Sequence, residues 1–229
     1  TLVHRVTHWT QSELDPQRTL LITFTQRAAR EMGERMRALN PARTLPWIGT
    51  FHAIAARVLR SHGAPLGIRE DFRVITRYEA EHLMNEVLMH VGADLGSLDG
   101  RTLLRLNSLS VNADLRLYEL IETRVRHGRL SPERLDEVMV QFLVSKLERN
   151  VMDYDDLLLY WSQLLQVSPE VRSSVQGLFD AVFVDEYQDV NPLQVELIDA
   201  LVEPHGQLTV VGDDRQSIYG FRGADVGAI

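Results

Sequence analysis

The chain of 229 residues contains no cysteine. That absence removes disulfide frameworks, thiolate zinc sites and cysteine nucleophiles together. Any chemistry must run through oxygen, nitrogen or a metal, and a reducing, cytoplasmic compartment suits such a chain. Long apolar runs are missing too. None approaches the roughly 18 residues needed to span a bilayer. The N-terminus also lacks the basic start and apolar stretch of a secretory leader, so membrane insertion and export are disfavoured. Lysine is nearly absent: Lys146 stands alone, and 23 of the 24 basic residues are arginine. A phosphate-binding loop needs a glycine-rich turn ending in Gly-Lys-Ser or Gly-Lys-Thr, whose amides and lysine hold nucleotide phosphates. No such string occurs, and Lys146 lies in Val-Ser-Lys-Leu without the glycines. The arginine bias and a start at Thr1 in place of methionine suggest a fragment.

Hydrophobic residues make up 45% of the chain and charged residues 24%, the composition of one large folded domain or two modest ones. The net charge of −8 is unevenly spread. Residues 21–63 carry seven arginines against two glutamates, or +5, whereas residues 151–229 carry 3 basic and 14 acidic side chains, or −11. The acidic total argues against broad, nonspecific DNA coating. Local potential steers an anion, however, so the basic segment suits phosphates. A solvated arginine-bearing helix face accounts for it equally well.

The apolar, β-branched run Leu20-Leu21-Ile22-Thr23-Phe24-Thr25 predicts a strand, and Ala28, Met32, Met36 and Leu39 then recur at helical spacing. Trp47-Ile48-Gly49-Thr50 repeats the arrangement, with Phe51, Ile54, Ala55, Val58 and Leu59 on the following helix. Further along, Ala181–Val184 and Leu208–Val211 read as strands, and Pro192 opens a helix reaching about Val202. Short apolar strands alternating with helices imply an α/β fold, a parallel sheet with helices on both faces. Residues 63–150 read differently. Thr76 with Glu79 makes a capping box for a helix ending near Gly92, and Ser131-Pro132-Glu133 starts another reaching about Arg149. Leucine-rich helical patterns fill the space between, no strand is evident, and an all-α inserted subdomain is expected there. The division is then 1–62 and 151–229 for the two parts of one α/β domain, with 63–150 inserted.

Asp185-Glu186-Tyr187-Gln188-Asp189 follows a buried-type strand immediately, and open α/β sheets place ligand chemistry at the carboxyl ends of their strands. A carboxylate there can bind Mg²⁺ beside nucleotide phosphates, and its neighbour can accept a proton from attacking water. Asp185 suits the metal and Glu186 the base. An acidic loop capping the next helix is the alternative. Asp153, Asp155 and Asp156 suit helix capping better than metal binding. His4 and His8, one helical turn apart, read as a helix face for want of a third ligand. Met32, Met36, Met84 and Met89 read as core or interface filler.

Taken whole, Val184–Asn191 resembles the DExQD box of the UvrD/Rep family of superfamily 1 helicases. Val211–Asp225 is similar to the third motif of that family, Thr23–Met32 to its motif Ia, Gly49–Ala53 to its motif Ib, and Met152–Leu158 to its aspartate-rich segment. The resemblance implies a RecA-like domain and a parent enzyme that hydrolyses ATP with Mg²⁺ while translocating 3′ to 5′ on single-stranded DNA. It implies Asp185 as the metal-holding residue and Glu186 as the base. Gln216 would sense the γ-phosphate and couple it to the DNA groove. Phe24, Thr25, Gln26, Thr50, Phe51 and His52 would face the single strand, with Tyr219, Phe221 and Arg222 extending the platform. Aromatic faces stack bases without reading sequence, while hydroxyl, amide and imidazole groups contact phosphate. Phe51 fits the apolar stripe of its helix equally well.

Departures from the family pattern are mild: Gln26 replaces a common asparagine, Ala53 a serine and Arg215 an aspartate. In the family, a segment like Thr1–Val6 directly follows the phosphate-binding loop. The chain is therefore expected to start just past that loop and to stop before the second RecA-like domain, its natural partner, with no ATP turnover of its own. Two rivals remain: a single-strand-binding or regulatory module without catalysis, and the motor part of a helicase-nuclease subunit.

Overall fold

The computed structural model describes residues 2–92, 98–124 and 131–213. Along the chain run α1 (Leu2–Ser12), β1 (Thr19–Ile22), α2 (Gln26–Leu39), β2 (Trp47–Gly49), α3 (Phe51–His62) and β3 (Arg73–Val74). Then follow α4 (Arg77–Val91), α5 (Gly100–Ala113), α6 (Leu117–Arg124), α7 (Pro132–Glu148) and β4 (Val151–Met152). The remaining elements are α8 (Tyr154–Val167), α9 (Pro169–Gln176), β5 (Ala181–Val184), α10 (Pro192–Val202) and β6 (Leu208–Val210).

The main sheet has the order β2-β1-β5-β6 and is parallel throughout. Its two central strands are fully buried, which is why they read as unbroken apolar runs. Period-two alternation then sorts their side chains. Leu21, Ala181 and Phe183 pack with Leu2, Val6 and Met36 of α1 and α2. Leu20, Ile22, Val182 and Val184 point the other way, into a larger core built from α3, α8, α9 and α10. Helices thus cover both faces, as expected of a RecA-like domain.

Helices α4 to α7 bury a separate apolar cluster that includes Leu83, Met84, Leu103, Val138 and Phe142. Its ends are set by local chemistry. The Thr76–Glu79 capping box starts α4, and Gly92 at φ 63° ends it in the left-handed conformation that glycine tolerates. Ser131 caps α7 with Pro132 at the first position. One expectation needs correction. Residues 73–74 form a strand, β3, which pairs in parallel with β4. Two residues are too few to display an alternation, so the pairing is decided by partners across the fold: Arg73 N–H donates to Asn150 at 3.1 Å and Ile75 N–H to Met152 at 2.8 Å. Among the described residues no helix is long and apolar enough to cross a membrane.

Candidate functional site

Strand β1 ends at Ile22, three residues short of the apolar run, because Thr25 serves as the N-cap of α2 and accepts a hydrogen bond from Ala28 N–H at 3.1 Å. Thr50 plays the same part for α3, accepting from Ala53 N–H at 3.3 Å. Since β1 and β2 are paired in parallel, the two helices start side by side at the carboxyl edge of the sheet. Gln26 spans the gap, its Nε2 donating to Thr50 Oγ1 at 3.3 Å. Helix N-termini present unpaired amides and a partial positive charge, an arrangement that receives phosphate.

The residues expected to face a single strand separate by burial. Thr25 and Gln26 are exposed, Phe24 and His52 half-buried, and Thr50 buried. The His52 ring stands edge-on to Tyr154 with centroids 5.4 Å apart. Phe51 is only 4% exposed and lies in the larger core, the packing outcome that its helical stripe also predicted. Gln216, Tyr219, Phe221 and Arg222 lie outside the described residues.

Asp185 follows β5 at the same edge, its N–H donating to Ile22 at 2.9 Å. Burial, and then the charge of Glu186, push its carboxyl above the usual range. It lines an open cleft of 440 Å³ with Leu2, His4, Met32, Arg35 and Val211. Glu186 is held at φ 54° and ψ 44°, a left-handed backbone unusual for a side chain of this type. Gln188, 1% exposed, fixes the loop from beneath: its Nε2 donates to Glu186 Oε2 at 2.6 Å, and its Oε1 accepts from Asp213 N–H at 2.9 Å. Gly212 permits this, because a Cβ there would meet Gln188 Oε1 at 2.7 Å.

Such a site fits Mg²⁺. Burial and the neighbouring charge of Glu186 raise the cost of ionising Asp185, and a divalent cation relieves it. Among the described residues no group of three His, Cys, Asp or Glu side chains is placed to hold a metal alone. A cation at Asp185 would complete its shell with water and phosphate oxygens, the habit of Mg²⁺.

The aspartate-rich segment does what its sequence suggests. Asp153 caps α8 and forms a reciprocal box with Asp156. Sequence reasoning missed three participants. Lys146 is buried between Asp153 and Asp156. Tyr154 abuts His52. Asn112 of α5 joins Asp155 to Asn191, its Nδ2 donating to Asp155 Oδ1 at 2.9 Å while its Oδ1 accepts from Asn191 Nδ2 at 2.8 Å. An asparagine in a leucine-rich helix carries no sequence signal for that role.

Comparison with known proteins identifies the family. The family described as the UvrD/REP helicase N-terminal domain matches residues 1–229. The chain is 36% identical to the ATP-dependent DNA helicase PcrA of Leuconostoc citreum over 100% of its own length and 30% of that relative's. Against the PcrA of Bacillus subtilis (strain 168) the identity is 34%, covering 98% of this chain and 30% of the relative. For Staphylococcus aureus (strain Mu50 / ATCC 700699) it is 33%, covering 98% and 31%. The chain therefore spans about 30% of the length of these relatives. With the family model matched along its whole length, this chain belongs to the UvrD/REP helicase N-terminal domain family.

Proposed function

We propose that the chain is the first motor segment of an ATP-dependent DNA helicase that translocates 3′ to 5′ on single-stranded DNA. The single observation that carries this reading is the shared edge of the sheet. The paired carboxylates after β5 and the adjoining N-termini of α2 and α3 lie along it, so a nucleotide-type site and a phosphate-binding track sit on one rigid frame. Asp185 would hold Mg²⁺, which when bound would supply charge neutralisation at the phosphates. Glu186 accepts the proton of the attacking water. Gln26, Thr25 and His52 contact the DNA backbone and Phe24 stacks on a base; by likeness to the third motif, Tyr219, Phe221 and Arg222 are further DNA contacts and Gln216 senses the γ-phosphate. The second RecA-like domain of the longer protein is the partner across the nucleotide. Residues 63–150 act as an inserted helical unit, a division supported by the separate cluster of α4 to α7.

The 229 residues hold no Gly-Lys-Ser or Gly-Lys-Thr string, so this segment by itself turns over no ATP. The test is phosphate release by the longer protein with and without single-stranded DNA. DNA-stimulated turnover that Glu186→Gln abolishes, with DNA binding retained, is the expected result. Equal turnover by wild type and Glu186→Gln would remove Glu186 as base and the reading with it.

A further inference from the structure

Among the described residues, a polar relay joins the helical unit to the downstream end of the carboxylate loop. Asn191, two residues past the Asp185–Asp189 string, is the N-cap of α10 and accepts from Gln194 N–H at 2.9 Å. Its remaining amide group points away from the helix and donates to Asn112 Oδ1 at 2.8 Å, joining residues 79 apart in sequence. Asn112 is in turn fixed from two sides, donating to Ser108 O at 2.7 Å and to Asp155 Oδ1 at 2.9 Å. Asp155 also accepts from Ser108 Oγ at 3.0 Å. The relay thus runs from the start of α8, through α5, to the first turn of α10. Asn191 is 8% exposed, so the donor it gives to Asn112 has little water to turn to when the partner is lost.

We propose that Asn112 is a positioning residue for the carboxylate loop: through Asn191 it sets where Asp185 and Glu186 stand. This rests on the functional reading above. The loop needs an outside reference, because Glu186 occupies a left-handed backbone conformation that persists only when its surroundings dictate it. Gln188 supplies one fixed point below the loop, and Asn191 supplies the other at its downstream end. A load on the helical unit, such as bound DNA, therefore reaches the carboxylate loop through α5 and the Asn112–Asn191 bond.

Asparagine and aspartate cap helices about equally well, so Asn191→Asp keeps the cap while replacing the donor to Asn112 with a charged acceptor that the Asn112 carbonyl repels. Asn112→Ala removes the same link from the other side. In this chain, the amides of residues 186–191 and 193–194 in both variants should exchange with solvent faster by about fivefold or more, while those of β1 and β5 hold their wild-type rates. In the longer protein, at matched melting temperature, each variant should lower kcat about five- to tenfold and raise the Mg²⁺ concentration for half-maximal turnover, with KM for ATP unchanged. The double variant should be no worse than either single, as for two ends of one interaction.

If Asn112→Ala folds poorly, Asn191→Asp decides alone, since it leaves α5 untouched. Wild-type exchange and kinetics in Asn191→Asp would overturn the proposal, as would additive losses in the double variant. Failure of the functional reading looks different: wild-type protein without DNA-stimulated turnover, or with turnover that survives Glu186→Gln.

Discussion

Lys146 Nζ lies 2.6 and 2.7 Å from the two carboxylate oxygens of Asp156 and 2.9 Å from Asp153. The only lysine of the chain is therefore a buried structural cation, its side chain 7% exposed. It joins the end of α7 to the start of α8, with Phe142 beneath the ammonium at 4.4 Å. Burial lowers its affinity for the proton, but Asp156 and Asp153 outweigh burial and raise it above the ordinary range, so the ammonium stays charged.

One cation facing two carboxylates gives a pH dependence of definite sign. Burial, and then the charge of Asp153, push Asp156 up to about 6. Its folded value is above its unfolded one, so its contribution to stability is full below about pH 4 and is lost as pH rises through 6. Wild type should thus gain on Asp156→Asn by about 1 kcal/mol when the pH falls from 7 to 5. Urea unfolding of both chains at the two pH values measures it. A stability difference that stays constant, or moves the other way, contradicts the assignment.

Removing the cation should cost far more than an exposed pair would. Lys146→Met leaves two buried carboxylates facing each other, and loss of one partner of a buried ion pair typically costs about 3 to 5 kcal/mol. The loss should shrink at acid pH, where Asp156 takes up a proton. Denaturant midpoints at pH 5 and 7 show both effects, and a cost under about 1 kcal/mol would mean that Lys146 behaves as a surface residue.

The residues assigned to DNA divide into two experimental classes. Phe51→Ala should destabilise the chain by about 3 to 5 kcal/mol, as truncation of a core aromatic does, because Phe51 is 4% exposed. Phe24→Ala and His52→Ala should leave the melting temperature nearly unchanged and weaken binding of fluorescent oligothymidine, with stacking contributing about 1 to 3 kcal/mol per base. Wild-type binding should also weaken as salt rises. If both half-buried edge variants bind as wild type does, the single strand takes another path.

Gly212→Ala tests the support beneath the carboxylate loop. The added Cβ would lie 2.7 Å from Gln188 Oε1 and 3.2 Å from the Gln188 backbone nitrogen, so the Gln188 side chain must swing away. Its bonds to Glu186 and to Asp213 N–H then break, at about 0.5 to 1.5 kcal/mol each. Faster exchange of the Asp213 amide and a modest drop in stability are expected. Unchanged exchange there means that Gln188 does not tie the two loops.

The sequence by itself determined what short-range chemistry controls. Strands β1 and β5 show as apolar runs because both of their faces are covered, and α4, α7 and α10 show through their starts, Thr76 with Glu79, Ser131 with Pro132, and Pro192. Asp185-Glu186 was legible because a carboxylate pair directly after a buried strand is a local pattern. Tertiary structure decided the rest. Parallel pairing of β1 with β2 brought Gln26 to Thr50, and packing chose the core for Phe51. The partners of Lys146 and Asn112, and the pairing of β3 with β4, depend on how distant segments dock. A single polar side chain has no periodicity, and its partner is set by the fold that surrounds it.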